Sequence, residues 1–134
     1  MVTGETEPPP IPTNVTSVQT KPMTLTLQQQ AQETIETNVL KWSLMLCDAL
    51  TQGAPDGYGF YLDSMGRKYH RIFMTIDGKR SSIHAFIDKK TGEVYKPASF
   101  KAPAKHVRFN LLVITEREWL LRHADWAGGY LYKR

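Results

Sequence analysis

The chain has 134 residues, 41% of them hydrophobic, a length that suits one domain with its own core. Its single cysteine, Cys47, excludes an intrachain disulfide and a cysteine-based zinc site, and no apolar run approaches the ~18 residues of a membrane span. The net charge of +4 is uneven: residues 1–45 hold two lysines and four glutamates, so residues 46–134 carry +6, which favours an anionic partner such as nucleic acid, an acidic protein face or a membrane surface.

Residues 1–24 include Pro8, Pro9, Pro10, Pro12 and Pro22 with few bulky apolar residues. Such a composition buries too little surface to offset ordering entropy, and a flexible arm is predicted, either without a role or ordering along a partner. The acids and prolines do not read as a secretory signal, and a soluble protein in a reducing compartment is expected. Domain organisation is therefore an arm over 1–24 and a single domain over 25–134.

Thr26 followed by Gln29 is a capping-box pattern. Ile35, Val39, Trp42, Leu46 and Ala49 or Leu50 recur at helical spacing, and Gly53 with Pro55-Asp56-Gly57 marks the end. Cys47 lies in this run as a small hydrophobe. Leu40, Leu44 and Met45 widen the apolar stripe, so the helix is either sandwiched on two sides or part of a subunit contact; the first reading is preferred.

From Tyr58 the period shortens to two. Phe60–Leu62, Lys68–Ile76, Ser82–Asp88 and Glu93–Lys96 read as strands of an antiparallel meander, separated by turns at Asp63–Gly66, Asp77-Gly78 and Lys89–Gly92. Along the second, His70, Ile72, Met74 and Ile76 share one face and Tyr69, Arg71, Phe73 and Thr75 the other, the pattern of an inner strand. A four-residue turn over 77–80 would place Ile76 opposite Ser81, His70 opposite Ile87 and His84 opposite Phe73.

Pro97 ends regular pairing, and residues 97–110 read as a close-packed loop turning helical from Ala104. Leu111–Ile114 fits a strand or a helix end. Thr115 with Glu118 suggests a second capped helix carrying Trp119, Leu120, His123 and Trp126 and ending at Gly128-Gly129, before a terminal strand at Tyr130–Tyr132. The fold class is thus α+β: four to five antiparallel strands packed on one long N-terminal helix, with a short C-terminal helix.

No pattern of catalytic residues, metal ligands or cofactor-binding glycines emerges. Asp88, Glu93 and Lys96 resemble the acids and lysine of a metal-assisted phosphodiesterase, but Asp88 reads better as the start of a turn that Gly92 completes. The concentrated signal is Lys89–Asn110, where six Lys or Arg meet one acid with Tyr95, Phe100 and Phe109 between them. Lys96, Lys101, Lys105 and Arg108 form a candidate phosphate-binding band, His106 and Asn110 candidate hydrogen-bonding groups, and Phe100 a candidate stacking face. The competing reading makes the rings core plugs and the lysines a solvated loop.

The run Lys96-Pro97-Ala98-Ser99-Phe100-Lys101-Ala102-Pro103-Ala104, ending in Arg108-Phe109-Asn110, resembles a family of small tailed-bacteriophage proteins with a Lys-Pro-Ala-Ser-aromatic-Lys-Ala-Pro-Ala motif. The similarity spans roughly 67–112. Where those proteins usually carry Trp and Arg-Gly-Asn, this chain has Phe100 and Phe109. The resemblance implies a viral origin, with the protein in the host cytoplasm or the virion, and no mechanism. The expected function is a non-enzymatic accessory protein that binds nucleic acid through the basic, aromatic-interleaved loop. The alternatives are a virion assembly protein anchored by its N-terminal arm, and a binder of a host protein.

Overall fold

The structure is a computed structural model in which residues 26–132 are described. The chain divides into two compact units, residues 1–32 and 33–134. The arm predicted for 1–24 lies outside the described residues. Of the first unit, residues 26–32 open helix α1, Leu27–Gln52, with the expected reciprocal cap. Thr26 Oγ1 accepts from the Gln29 N–H at 3.0 Å, and Gln29 Oε1 accepts from the Thr26 N–H at 2.9 Å.

The second unit holds the rest of α1, then β1 (Tyr58–Asp63), β2 (Tyr69–Ile76), β3 (Lys79–Asp88), β4 (Glu93–Tyr95), β5 (Phe109–Asn110), α2 (Ile114–His123) and a 3-10 turn at Gly129–Tyr132. The strands form one sheet in the order β1-β2-β3-β4-β5, each antiparallel to its neighbour. This is the α+β meander on a long helix that the sequence predicts, with β2 internal.

Val39, Leu46, Cys47 and Leu50 of α1 join Ile72, Ala85, Ile87, Val94 and Phe109 of the sheet in one buried core, closed by Leu111, Leu120 and Leu131. Burying each large aliphatic side chain stabilises the fold by roughly 1.5–3 kcal/mol. Thr51 joins the end of α1 to β1, its Oγ1 donating to the Cys47 carbonyl at 2.9 Å and accepting from the Phe60 N–H at 3.2 Å. Leu40, Leu44 and Met45 are instead 38–51% exposed, so the expected two-sided sandwich of α1 does not form.

The β2–β3 hairpin departs from the predicted register in an instructive way. Asp77 (φ 51°) and Gly78 (φ 81°) alone make the turn, both in the left-handed region of a type I′ turn, so Ile76 pairs with Lys79 and not Ser81. Two bulges then each absorb one residue, Ser81 between the Met74 and Thr75 pairs and His84 between the Ile72 and Phe73 pairs. Register is restored beyond them. His70 opposes Ile87 as expected, while His84 faces no partner and Phe73 opposes Ile83.

The region after β4 is a hairpin, with no helix from Ala104. Pro97 bridges Pro103, the Ala104 N–H donates to the Lys96 carbonyl (2.9 Å), and the Arg108 N–H donates to the Val94 carbonyl (2.7 Å). His106, at φ 73°, lets the returning chain bulge before β5 begins. Leu111 and Leu112 form a turn into α2. The predicted Thr115–Glu118 box is not formed, because α2 starts two residues earlier, with Val113 in the N-cap position and no side-chain cap. Glu116 reaches back instead and accepts from the Asn110 N–H at 2.8 Å. The helix ends at His123, leaving Trp126 outside it, and Gly129–Tyr132 forms a 3-10 turn where a strand was expected.

Candidate nucleic-acid interface

Strand alternation gives the sheet two faces, and α1 covers one of them. The opposite face carries Tyr61 of β1, Tyr69, Arg71 and Phe73 of β2, Phe86 of β3 and Tyr95 of β4. Phe73 and Phe86 are almost fully buried there, although among the described residues no helix covers them. Other rings and cations do so. Phe73 stacks with Tyr61 (centroids 5.6 Å, 22° between planes) and with Phe100 (6.2 Å, 19°). Tyr69 meets Phe86 and Tyr95 edge-on.

Cations complete the layer. The Arg80 guanidinium lies 4.0 Å from the Phe73 ring centroid and donates to the Tyr61 hydroxyl at 2.7 Å. Arg71 sits 5.1 Å from the Phe73 ring, donates to the Phe100 carbonyl at 2.9 Å and pairs with Asp63 at 2.9 Å. The Met65 N–H, then Arg71, hold the Asp63 carboxyl below the usual range. Lys68 lies 5.3 Å from the Tyr69 ring, and Arg67, Lys68 and Lys101 line a shallow hollow beside Tyr69 and Phe86. The outcome is a strip of rings bordered by ammonium and guanidinium groups, with Tyr61 36% and Phe100 51% exposed.

The loop that carries Phe100 is locally ordered. Ser99 Oγ accepts from the N–H groups of Lys101 and Ala102 at 3.2 Å each, and the Ala102 carbonyl accepts from Ala98 and Ser99 at 3.0 and 3.1 Å. These contacts fold 98–102 into a tip, and Arg71 fixes that tip to β2.

The residues predicted as one band fall into separate places. Phe100 and Lys101 join the outer strip. Lys96 turns away and lies 4.4 Å from the Tyr132 ring. Lys105 and His106 are exposed in the bulge before β5, and Arg108 is half-buried. Asn110 belongs to a turn: its Oδ1 accepts from the Leu112 N–H at 2.8 Å, beside Gly92. Sequence reasoning passed over Tyr61, Arg71 and Arg80 as site residues, although the Tyr69-x-Arg71-x-Phe73 alternation already set a ring and a cation on one face.

Asp88 and Glu93 are occupied structurally. Asp88 Oδ1 accepts from the N–H groups of Lys90 and Thr91 (2.8 and 3.1 Å), and Glu93 Oε1 accepts from the hydroxyls of Thr91 and Tyr95 (3.1 and 3.0 Å). Burial and the Glu93 contact push the Tyr95 hydroxyl up to about 12. Among the described residues no group of three or more His, Cys, Asp or Glu is placed to hold a metal ion, and no helix is long and apolar enough to cross a membrane.

No curated protein and no solved structure matches the chain. A family model does match, over residues 23–133, and by it the chain belongs to a family of unknown function, DUF7717.

Proposed function

We propose that this protein binds single-stranded nucleic acid on the outer face of its sheet, in a non-enzymatic role. The observation that carries the reading is the half-exposed Phe100 ring, stacked on buried Phe73 and set among Arg71, Arg80 and Lys101. Every base has a π-face, so exposed rings such as Tyr61 and Phe100 hold unpaired bases regardless of sequence, while nearby cations hold the phosphates. A duplex hides its base faces and gains the charge contacts alone. The likeness of Lys96–Ala104 to small phage proteins fits such an accessory role.

Fluorescence anisotropy with labelled single-stranded DNA, RNA and duplex DNA at two salt concentrations tests this. Single strands should bind more tightly than duplex. Phe100→Ala should weaken strand binding by about 1–3 kcal/mol with an unchanged salt slope. Arg80→Ala with Lys101→Ala should flatten the slope. Absence of binding at low salt, or equal affinity for duplex with no effect of Phe100→Ala, overturns the proposal.

A further inference from the structure

A second recess lies apart from the outer strip, at the Asp77-Gly78 end of the sheet and under the C-terminal segment. It encloses about 310 Å³, lined by Met74, Ser82, His84, Trp126, Gly128 and Tyr132 among others. That volume is at the small end of ligand sites, which run to roughly 300–1,000 Å³. It suits one planar ring with its attached group.

Its chemistry follows from the His84 bulge. The extra residue in β3 leaves His84 outside the strand pairing, and its imidazole is caught from two sides. Nε2 lies 2.7 Å from the Tyr130 hydroxyl, and the Phe60 ring meets the imidazole edge-on at 5.0 Å. Cε1 and Nδ1 face the side of Gly128 (φ 82°) that carries no side chain: a Cβ there would lie 3.6 and 3.9 Å from them, and glycine leaves that space open. Burial keeps this imidazole neutral, its pKa lowered to about 4. Because the tyrosine hydroxyl can donate or accept, the neutral ring can present Nδ1 as acceptor or donor in turn.

The other walls favour an aromatic ring, with room for an anionic group only on the Lys96 side. Trp126 is held by Tyr58, edge to face at 5.1 Å, and Tyr132 is 62% exposed at the mouth. Lys96 places its ammonium 4.4 Å from the Tyr132 ring centroid, so a cation borders the recess. Asp125, whose charge also reaches His84, accepts from the Ala127 N–H at 3.2 Å.

We propose that this recess binds one nucleotide, its base against Trp126 and Tyr132 with an edge on His84 Nδ1, and its phosphate at Lys96. The same chemistry is offered by a free nucleoside monophosphate and by the phosphorylated end of a strand. None of the residues that form the outer strip lines the recess, and this proposal does not depend on that strip.

Titration of the full chain with AMP, GMP, CMP and UMP, followed by two-dimensional amide and indole NMR, reads the site directly. Saturable shifts are expected at Ser82, His84, Gly128 and the Trp126 indole N–H. Ribose 5-phosphate and the parent nucleosides should bind at least about tenfold weaker, the step set by losing one good contact. Lys96→Ala should weaken the monophosphate and leave the nucleoside unchanged, and Tyr132→Ala, at an exposed position, should weaken both. A 5′-phosphorylated oligonucleotide shifting these resonances at lower concentration than the monophosphate assigns the recess to strand ends; the reverse assigns it to the free nucleotide. Absence of shifts at these residues in millimolar nucleotide, or equal binding of ribose 5-phosphate, overturns the proposal. Strand binding lost in the anisotropy assay with these shifts intact would remove the outer strip and keep the recess.

Discussion

Arg71 donates a hydrogen bond to the backbone carbonyl of Phe100 at 2.9 Å, joining the middle of the sheet to a loop tip 29 residues away. The same guanidinium pairs with Asp63 and lies against Phe73, so one side chain couples β1, β2 and the 98–102 tip. Lysine cannot make these contacts together, because it lacks the planar fork. Arg71→Ala is expected to cost about 1–2 kcal/mol, the worth of partly exposed charged hydrogen bonds. Arg71→Lys should recover less than half of that. Urea midpoints measure the cost, and faster tryptic cleavage after Lys101 in either variant would report a released tip.

Much of this arrangement was legible in the sequence, and the failures have physical causes. The Thr26–Gln29 cap and the periodicity of Val39, Leu46 and Leu50 gave α1 because they are local signals. The meander followed from alternation and from glycines that the turns require. The 97–110 hairpin was hidden because Pro97 and Pro103, as residues that cannot donate, argue against pairing, yet here they bridge each other with the ladder bonds carried by Ala104 and Arg108. Bulges at Ser81 and His84 cannot be read from alternation, since each reverses it for one residue. Phe100 and Lys101 were legible in the basic loop, but Tyr61, Arg71 and Arg80 were not, for a related reason: they lie far from Phe100 in sequence, and only the sheet brings them together.

Gly92 tests the turn before β4. Its φ is 77°, and an added Cβ would lie 3.0 Å from Leu112 Cγ and 3.3 Å from Asn110 Oδ1. Gly92→Ala therefore combines left-handed strain with a clash against the turn that leads into α2, and a loss of about 2–3 kcal/mol is expected. Gly78, at φ 81°, has nothing within 4 Å of the same position, so Gly78→Ala should show the strain alone, about 1 kcal/mol. Equal losses in thermal unfolding would show that the Leu112 contact yields freely.

Cys47 is buried in the α1 core, and desolvation pushes its thiol up to about 12. At neutral pH it is the thiol form, which is a poor nucleophile. The native protein should react with a disulfide reagent such as DTNB at least about a hundredfold more slowly than after denaturation, as the thiolate fraction falls with each pKa unit. Rapid native labelling would mean that α1 opens locally.

His70 and His84 make stability depend on acid. His84 is lowered to about 4 by burial, and His70 to about 4 by burial and then by the charge of Lys89. An unfolded histidine titrates near 6.5. Because both folded values lie below the unfolded one, the unfolded chain binds more protons between them. The stabilisation is therefore complete above about pH 6.5 and is lost as the pH falls toward 4. For His84, a shift of this size corresponds to on the order of 3 kcal/mol. Unfolding free energy measured from pH 7 to pH 4 should fall with a slope approaching two protons. His84→Gln should reduce that slope by about one proton, and a slope unaffected by the substitution would place the acid sensitivity elsewhere.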